Sequence, residues 1–341
     1  MRVLSLFDGI SAGQLALQRA GIDVETYYAS EIDKYAIQVT KKNFPNTIHL
    51  GDITKWQEWD IDWSSIDLVI GGSPCQGFSF AGKQLNFEDP RSRLFFVFVD
   101  ICHRVIDENP KMKFLLENVR MKKEYQDVIT QYMGVSPIAI NSSLVSAQNR
   151  YRLYWTNISN VSEPDDKKIL LRDILEEDVD SKYDLSAAKI DRYLVDGKRA
   201  DQTVDSMKGL TEQRIEFRED GKSNCLTSVQ KDSLVGTLIV PEATKKGYVE
   251  IQPNEGVDLT FINSTTRRGR RMEDKSNCLT AANYDYCWYD GYICRKLTPI
   301  ECERLQTFPD DWTKGISNSQ RYKALGNSWT VDVITHIFNN I

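Results

Sequence analysis

A largely apolar run, Ile66 to Ile70, stops in Gly71-Gly72-Ser73-Pro74-Cys75-Gln76-Gly77-Phe78-Ser79. The run reads as a buried strand. Two glycines end it, and a proline sits directly before a thiol. In open α/β sheets, ligands bind at such strand ends. A buried structural cysteine needs no such frame, so Cys75 reads as a placed nucleophile.

The rest of the first half has the matching rhythm. Val3 to Phe7, Tyr27 to Ser30, a short stretch near Ile48, Leu68 to Gly71 and Phe114 to Leu116 are predicted strands. Helices are predicted over Ser11 to Ala20, closed by Gly21, over Asp33 to Asn43, closed before Pro45, and over Ser92 to Ile106. Such alternation predicts a mostly parallel sheet with helices on both faces. From about Val161 that regularity is lost. Lys-Ser-Asn-Cys-Leu-Thr occurs twice, at Lys222–Thr227 and Lys275–Thr280, which suits a duplicated strand-loop unit in a small β-rich domain. A helix starts at Lys296-Leu297-Thr298-Pro299, with proline in its first turn, and Leu325 to Phe338 holds a loop and a last amphipathic helix.

The turn Phe7-Asp8-Gly9-Ile10 lets backbone approach a ligand at a helix N-terminus. Glu31, about 20 residues on, ends the second strand and suits two ribose hydroxyls. Asp52 ends the third, where a carboxylate can accept from an adenine amino group. Ile32 and Ile53 follow these acids. The residues alone specify an adenosine-containing cofactor, and NAD fits nearly as well.

Five segments, taken together and in order, resemble the DNA (cytosine-5) methyltransferases. They are Leu6-Phe7-Asp8-Gly9-Ile10-Ser11-Ala12-Gly13, Pro74-Cys75-Gln76-Gly77-Phe78-Ser79, Glu117-Asn118-Val119, Gln148-Asn149-Arg150-Tyr151-Arg152 and Gly326-Asn327-Ser328. Ser11 and Ala12 stand where the family commonly has glycine. The Asp-Gly-Ile turn, Ser-Pro-Cys and Arg93-Leu94-Phe95-Phe96 look more like the mammalian de novo members than like many bacterial ones. The resemblance covers about 1–160 and 296–341.

It implies a Rossmann-like methyltransferase fold in three stretches: catalytic 1–160, an inserted target-recognition domain 161–295, and a returning catalytic part 296–341. It implies S-adenosylmethionine as cofactor, held by Phe7, Asp8, Gly9, Ile10, Glu31, Ile32, Asp52, Ile53, Gly72, Pro74, Leu94, Asn327 and Ser328. Trp329 would complete the methionine side with Asn327 and Ser328. Cys75 would add to carbon 6 of cytosine, Glu117 would serve ring nitrogen 3, and Arg150 and Arg152 would hold the base's carbonyl oxygen, orient the thiolate and bind the flipped phosphate. A thiol cannot reach carbon 6 inside a stacked duplex, so the target must be flipped out. Gln76, Ser79 and Lys83 are expected to fill the vacated space or touch backbone, Phe78 to Pro90 to close as a lid, and Arg267, Arg268, Arg270 and Arg271 to hold phosphates. Asn283 is expected to read a base edge.

Composition sets bounds. The net charge of −6 argues weakly against a nucleic-acid partner, but local clustering matters more. Seven cysteines form no Cys-x-x-Cys pair and only three histidines are present, so neither a disulfide framework nor a metal site is expected. The lack of an 18-residue apolar run predicts no membrane span. A reducing cytosol of a bacterial or phage-infected cell, a monomer, double-stranded DNA and a cognate restriction endonuclease complete the expectations. The alternatives are an RNA (tRNA) cytosine-5 methyltransferase using the same fold and a catalytically dead DNA-binding regulator.

Overall fold

In the computed structural model, the described residues are 1–73, 93–183, 238–261, 264–279, 286–289 and 294–341. Pro74, Cys75, Gln76, Ser79, Lys83 and Asn283 lie outside them, as do the whole of the expected lid segment, Phe78 to Pro90, and the first Lys-Ser-Asn-Cys-Leu-Thr copy.

The chain divides into two compact units. The first comprises Met1–Leu170, Cys278–Ala282 and Pro299–Ile341, and the second Leu171–Asn277 and Asn283–Thr298. The break thus falls at 170 rather than 160. His336 bonds the Ser162 carbonyl, Lys167 N–H donates to Leu144 O, and Lys167 Nζ pairs with Asp332, all within the first unit. The return falls at 299 rather than 296, because Cys294–Lys296 forms a strand of the second unit.

A seven-stranded sheet organises the first unit, in the order β3-β2-β1-β4-β5-β7-β6. Its strands are β1 (Arg2–Leu6), β2 (Thr26–Ser30), β3 (Ile48–His49), β4 (Leu68–Gly71), β5 (Lys113–Val119), β6 (Ile138–Asn141) and β7 (Tyr151–Thr156). The first five pair in parallel, while β7 runs antiparallel to both β5 and β6. The strand order reverses between β1 and β4, and open sheets bind ligands at such a switch point.

Period-two burial explains the layering. Leu4, Leu6 and Val69 join one buried cluster with Phe95, Phe98, Val99 and Val105 of α3 (Arg93–Glu108). On the opposite face α1 (Ala12–Arg19) packs against α7 (Val331–Phe338), with Arg19 paired to Asp332. α1 ends in a Schellman arrangement: Gly21 has φ 70° and donates to Gln18 O, and Ile22 N–H donates to Leu17 O. α2 (Lys34–Asn43) is capped by the Asp33 carboxylate, which accepts from Tyr35 N–H. The remaining described helices are α4 (Lys123–Met133), α5 (Pro299–Leu305) and α6 (Asn318–Asn327).

The second unit carries a four-stranded antiparallel sheet and a hairpin. The sheet order is β11 (Arg271–Met272), β10 (Glu255–Asp258), β12 (Tyr286–Tyr289), β13 (Cys294–Lys296); β8 (Leu238–Pro241) pairs with β9 (Tyr248–Ile251). Leu238, Val240, Ile251, Val257, Cys287 and Tyr289 make its small core.

Candidate active site

The turn after β1 is unusual in backbone. Phe7, Gly9 and Ser11 all have φ near +60°, a region that non-glycine residues rarely enter. The Ser11 hydroxyl offsets this by donating to Asp8 and contacting Thr40 Oγ1. The Asp8 side chain faces inward, accepting from Ser5, Ser11 and Tyr27. Burial pushes its pKa up to about 6 against the pull of those three hydroxyls. Asp8 therefore does not line the cavity, and its part in ligand binding is confined to the shape of the turn.

That turn opens on a cavity of about 560 Å³ across the sheet's C-terminal edge. Phe7, Gly9, Ile10, Glu31, Ile32, Asp52, Ile53, Gly72, Leu94 and Asn327 all line it. Glu31 Oε2 accepts from Gly9 N–H at 2.8 Å, and Oε1 from the N–H groups of Ile32 and Asp33. Three fixed donors thus aim one carboxylate. Asp52 Oδ1 accepts from Thr54 N–H and hydroxyl, which hold its pKa below the usual range. Ile32 is 74 % exposed, an apolar side chain lying open on the cavity wall.

The same cavity reaches Glu117, Asn118, Arg150 and Arg152. Glu117 lies on β5 opposite Tyr154, and Arg152 opposite Val119, so Glu117 and Arg152 share one sheet face. Arg152 Nε lies 2.8 Å from Glu117 Oε1. The contact is Coulombic: the buried Nε–H makes no aligned hydrogen bond. Asn118 donates to the Ser73 hydroxyl, tying the end of β5 to the loop that leads to Cys75.

Arg150 departs from expectation. It is buried, and its terminal nitrogens donate to Leu279 O at 2.9 Å, Ser328 O at 2.8 Å and, more weakly, Gly326 O. Engaged with these carbonyls and with Cys278 Sγ, it braces two segments of the site while still lining the cavity. Gln148 acts alike, donating to Leu305 O and accepting from Leu279 N–H. Ser328 is buried and does not line the cavity, because the chain turns inward after Asn327. Trp329 is also absent from the wall; its indole donates to Glu117 Oε2.

Cys278 is the residue that sequence reasoning missed. Its sulfur accepts from Arg150 at 3.1 Å and Arg152 at 3.3 Å. Burial would push the thiol up, but the two guanidiniums outweigh it and hold it below the usual value. Nothing but its place in the repeated hexapeptide marks it in the sequence. Lys323 was missed as well; it lines the cavity while paired to Asp33.

The arginine cluster of the second unit is spent largely on its own fold. Arg270 is fully buried and donates to the carbonyls of Asp258, Thr260 and Phe261, so it cannot hold a phosphate. Arg267 pairs with buried Asp258, and Arg271 with Glu255 and Glu273. Arg268 is exposed, donates to Ala243 O and has no ion pair among the described residues.

The sheet order, the switch-point cavity and the small antiparallel sheets define the Rossmann-like fold of S-adenosylmethionine-dependent methyltransferases. The solved Entamoeba histolytica methyltransferase EhMeth shares this fold, with TM-score 0.61 at 15% identity over 100% of this chain and 97% of that one. More specifically, the chain belongs to the C-5 cytosine-specific DNA methylase family, whose model matches residues 1–341. Among curated relatives, the type II methyltransferase M1.ScrFI of Lactococcus lactis subsp. cremoris is 32% identical over 98% of this chain and 76% of its own length. The orphan methyltransferase M.SPRI of Bacillus phage SPR is 27% identical over 100% of this chain and 97% of its own. Among the described residues no helix is long and apolar enough to cross a membrane, and no acidic, His and Cys cluster could hold a metal.

Proposed function

We propose that this chain methylates carbon 5 of cytosine in double-stranded DNA, with S-adenosylmethionine as methyl donor. One observation carries the reading: a single cavity joins a nucleoside-shaped end, at Glu31, Ile32 and Asp52, to a carboxylate–arginine end, at Glu117 and Arg152. The donor fits the first end. Glu31 presents an oriented carboxylate to ribose hydroxyls, Asp52 Oδ2 has no partner among the described residues, and Ile32 offers apolar surface for an adenine to cover. When bound, S-adenosylmethionine supplies an electrophilic methyl group.

The chain's own residues do the rest. Carbon 5 of cytosine is a weak nucleophile. The Cys75 thiolate adds to carbon 6, forming a C–S bond and pushing electron density onto carbon 5 and ring nitrogen 3. Glu117 hydrogen-bonds or protonates nitrogen 3 as that density arrives. Arg152, whose buried Nε–H makes no aligned bond, turns to the base carbonyl oxygen. After methylation, carbon 5 loses its proton to solvent water, the ring double bond re-forms and the C–S bond breaks. The chemistry requires a flipped nucleotide, and the second unit is assigned sequence reading.

The test is incorporation of labelled methyl into duplex DNA and into tRNA, offered in competition to purified protein. Label in DNA alone is expected, with a covalent adduct on a duplex bearing 5-fluorocytosine and none with Cys75→Ser. Label only in tRNA selects the RNA reading. No label in either selects the inactive regulator.

A further inference from the structure

The geometry assigns to Trp329 a role in positioning Glu117, so that one carboxylate oxygen stays fixed while the other meets the base. This inference rests on the cytosine-methylating reading of the cavity. It starts from two glycines. A Cβ on Gly13 would lie 3.4 Å from Trp329 Cζ3, and one on Gly72 would lie 2.9 Å from both Trp329 Nε1 and Glu117 Oε2. The indole therefore occupies a slot that exists because Gly72, just past β4, carries no side chain; Gly13 only touches the ring at ordinary contact distance, its own tight neighbour being Ile70. No residue larger than glycine fits at Gly72 without displacing the ring or the carboxylate.

In that slot Nε1 donates to Glu117 Oε2 at 3.2 Å. This is the one hydrogen bond the carboxylate accepts from a described residue, since the 2.8 Å approach of Arg152 Nε to Oε1 is misaligned. The two contacts differ in kind. Arg152 is a long cation on a strand end, able to swing toward a substrate oxygen. The indole is rigid, neutral and wedged. When Arg152 turns away, Trp329 still holds Oε2, and Oε1 is the oxygen left to face ring nitrogen 3. Glu117 keeps its aim without depending on the residue that must move.

Trp329→Phe keeps a ring in the slot and deletes the N–H. Expected is a fall in kcat of about 10- to 100-fold, the worth of one hydrogen bond to a charged group, with KM for DNA and for S-adenosylmethionine unchanged. In a Glu117→Gln background the same change should add little. A normal kcat in Trp329→Phe, or an equal loss in both backgrounds, overturns the assignment. A second measurement needs no turnover: of the seven tryptophan indole N–H resonances, Glu117→Gln should move one strongly, and Trp329→Phe should delete that one. If none moves, the contact is absent and the proposal fails. If wild type methylates nothing yet that resonance moves, the contact stands and the cytosine reading falls.

Discussion

Arg152 of the first unit and Arg267, Arg270 and Arg271 of the second, all read from the sequence as contacts for nucleic acid, have opposite fates. Arg150 lines the same cavity as Arg152 yet shares the internal bonding of the second group. In the first unit Arg152 sits beside Glu117 and Cys278 with one buried N–H unaligned, on the wall of a cavity. In the second unit Arg270 is buried and bonded to three carbonyls, while Arg267 and Arg271 are neutralised by Asp258, Glu255 and Glu273. Density of positive charge along the chain therefore says little. Arg152 and Arg270 each keep a buried Nε–H without an aligned acceptor. What separates them is access: Arg152 lines a cavity, whereas Arg270 is fully enclosed among the carbonyls of its own unit.

The comparison is open to attack at several points. The largest effect is expected from Arg270→Ala. Three carbonyls would lose a charged donor, costing about 3–5 kcal/mol of stability, seen as a lower urea midpoint. An unchanged midpoint with weaker DNA binding would return Arg270 to the phosphate-binding set. Arg152→Ala should show its main loss in turnover, with kcat down about 10²–10³-fold in a methyl-incorporation assay of the folded variant, while the midpoint falls as well because buried Glu117 loses its cationic partner.

Asp8 tests whether a first-unit polar group can be wholly internal. Its pKa of about 6, against an ordinary 3.8, means the folded state holds a proton that the unfolded chain has released. Its contribution to stability is thus full below pH 3.8 and declines as pH rises to about 6, by about 3 kcal/mol at 1.4 kcal/mol per pH unit. Asp8→Asn should remove this, so urea unfolding at pH 4 and pH 7 should show the variant gaining on wild type by most of that amount, about 2 kcal/mol. A constant difference would mean that folding leaves the Asp8 pKa at its unfolded value. The smallest effect belongs to Arg268→Ala: all DNA sequences bound slightly and equally less well, and a salt-dependence slope shallower by about one. Relaxed base preference at one position would instead make Arg268 a sequence reader.

Much of the first unit was legible. β1, β2 and β4 announce themselves as short apolar runs ending near glycine or an acid, and Glu31 directly follows β2 as expected; Asp52 instead stands three residues past β3 as the cap of a short turn, and Glu117 lies inside β5, which runs on to Val119. The pattern failed where burial is shared with polar groups. α6, Asn318-Ser-Gln-Arg-Tyr-Lys-Ala-Leu-Gly-Asn, buries only Leu325 and Gly326, too thin an apolar stripe to read as a helix. β6 and β7 were not placed as a pair because antiparallel pairing breaks the strand-helix rhythm. Trp329 could not be assigned to Glu117, since the contact depends on the room left at Gly72, which is far from it in sequence. Arg270 read as a surface charge because its acceptors are backbone carbonyls, which no side-chain pattern reveals.

The packing of α7 on α1 has a consequence in time. These helices lie more than 300 residues apart, and Lys323, Asn327 and Trp329 arrive with the same late segment. Contacts of such separation close slowly, and a chain leaving the ribosome at about 5–20 residues per second offers the early helix no partner for many seconds. Until then the side of α1 that packs on α7 is uncovered and the cavity lacks one wall. Synthesis itself therefore sets when this enzyme first becomes competent, and truncation shortly before Lys323 should leave an aggregation-prone chain, not a weakened catalyst.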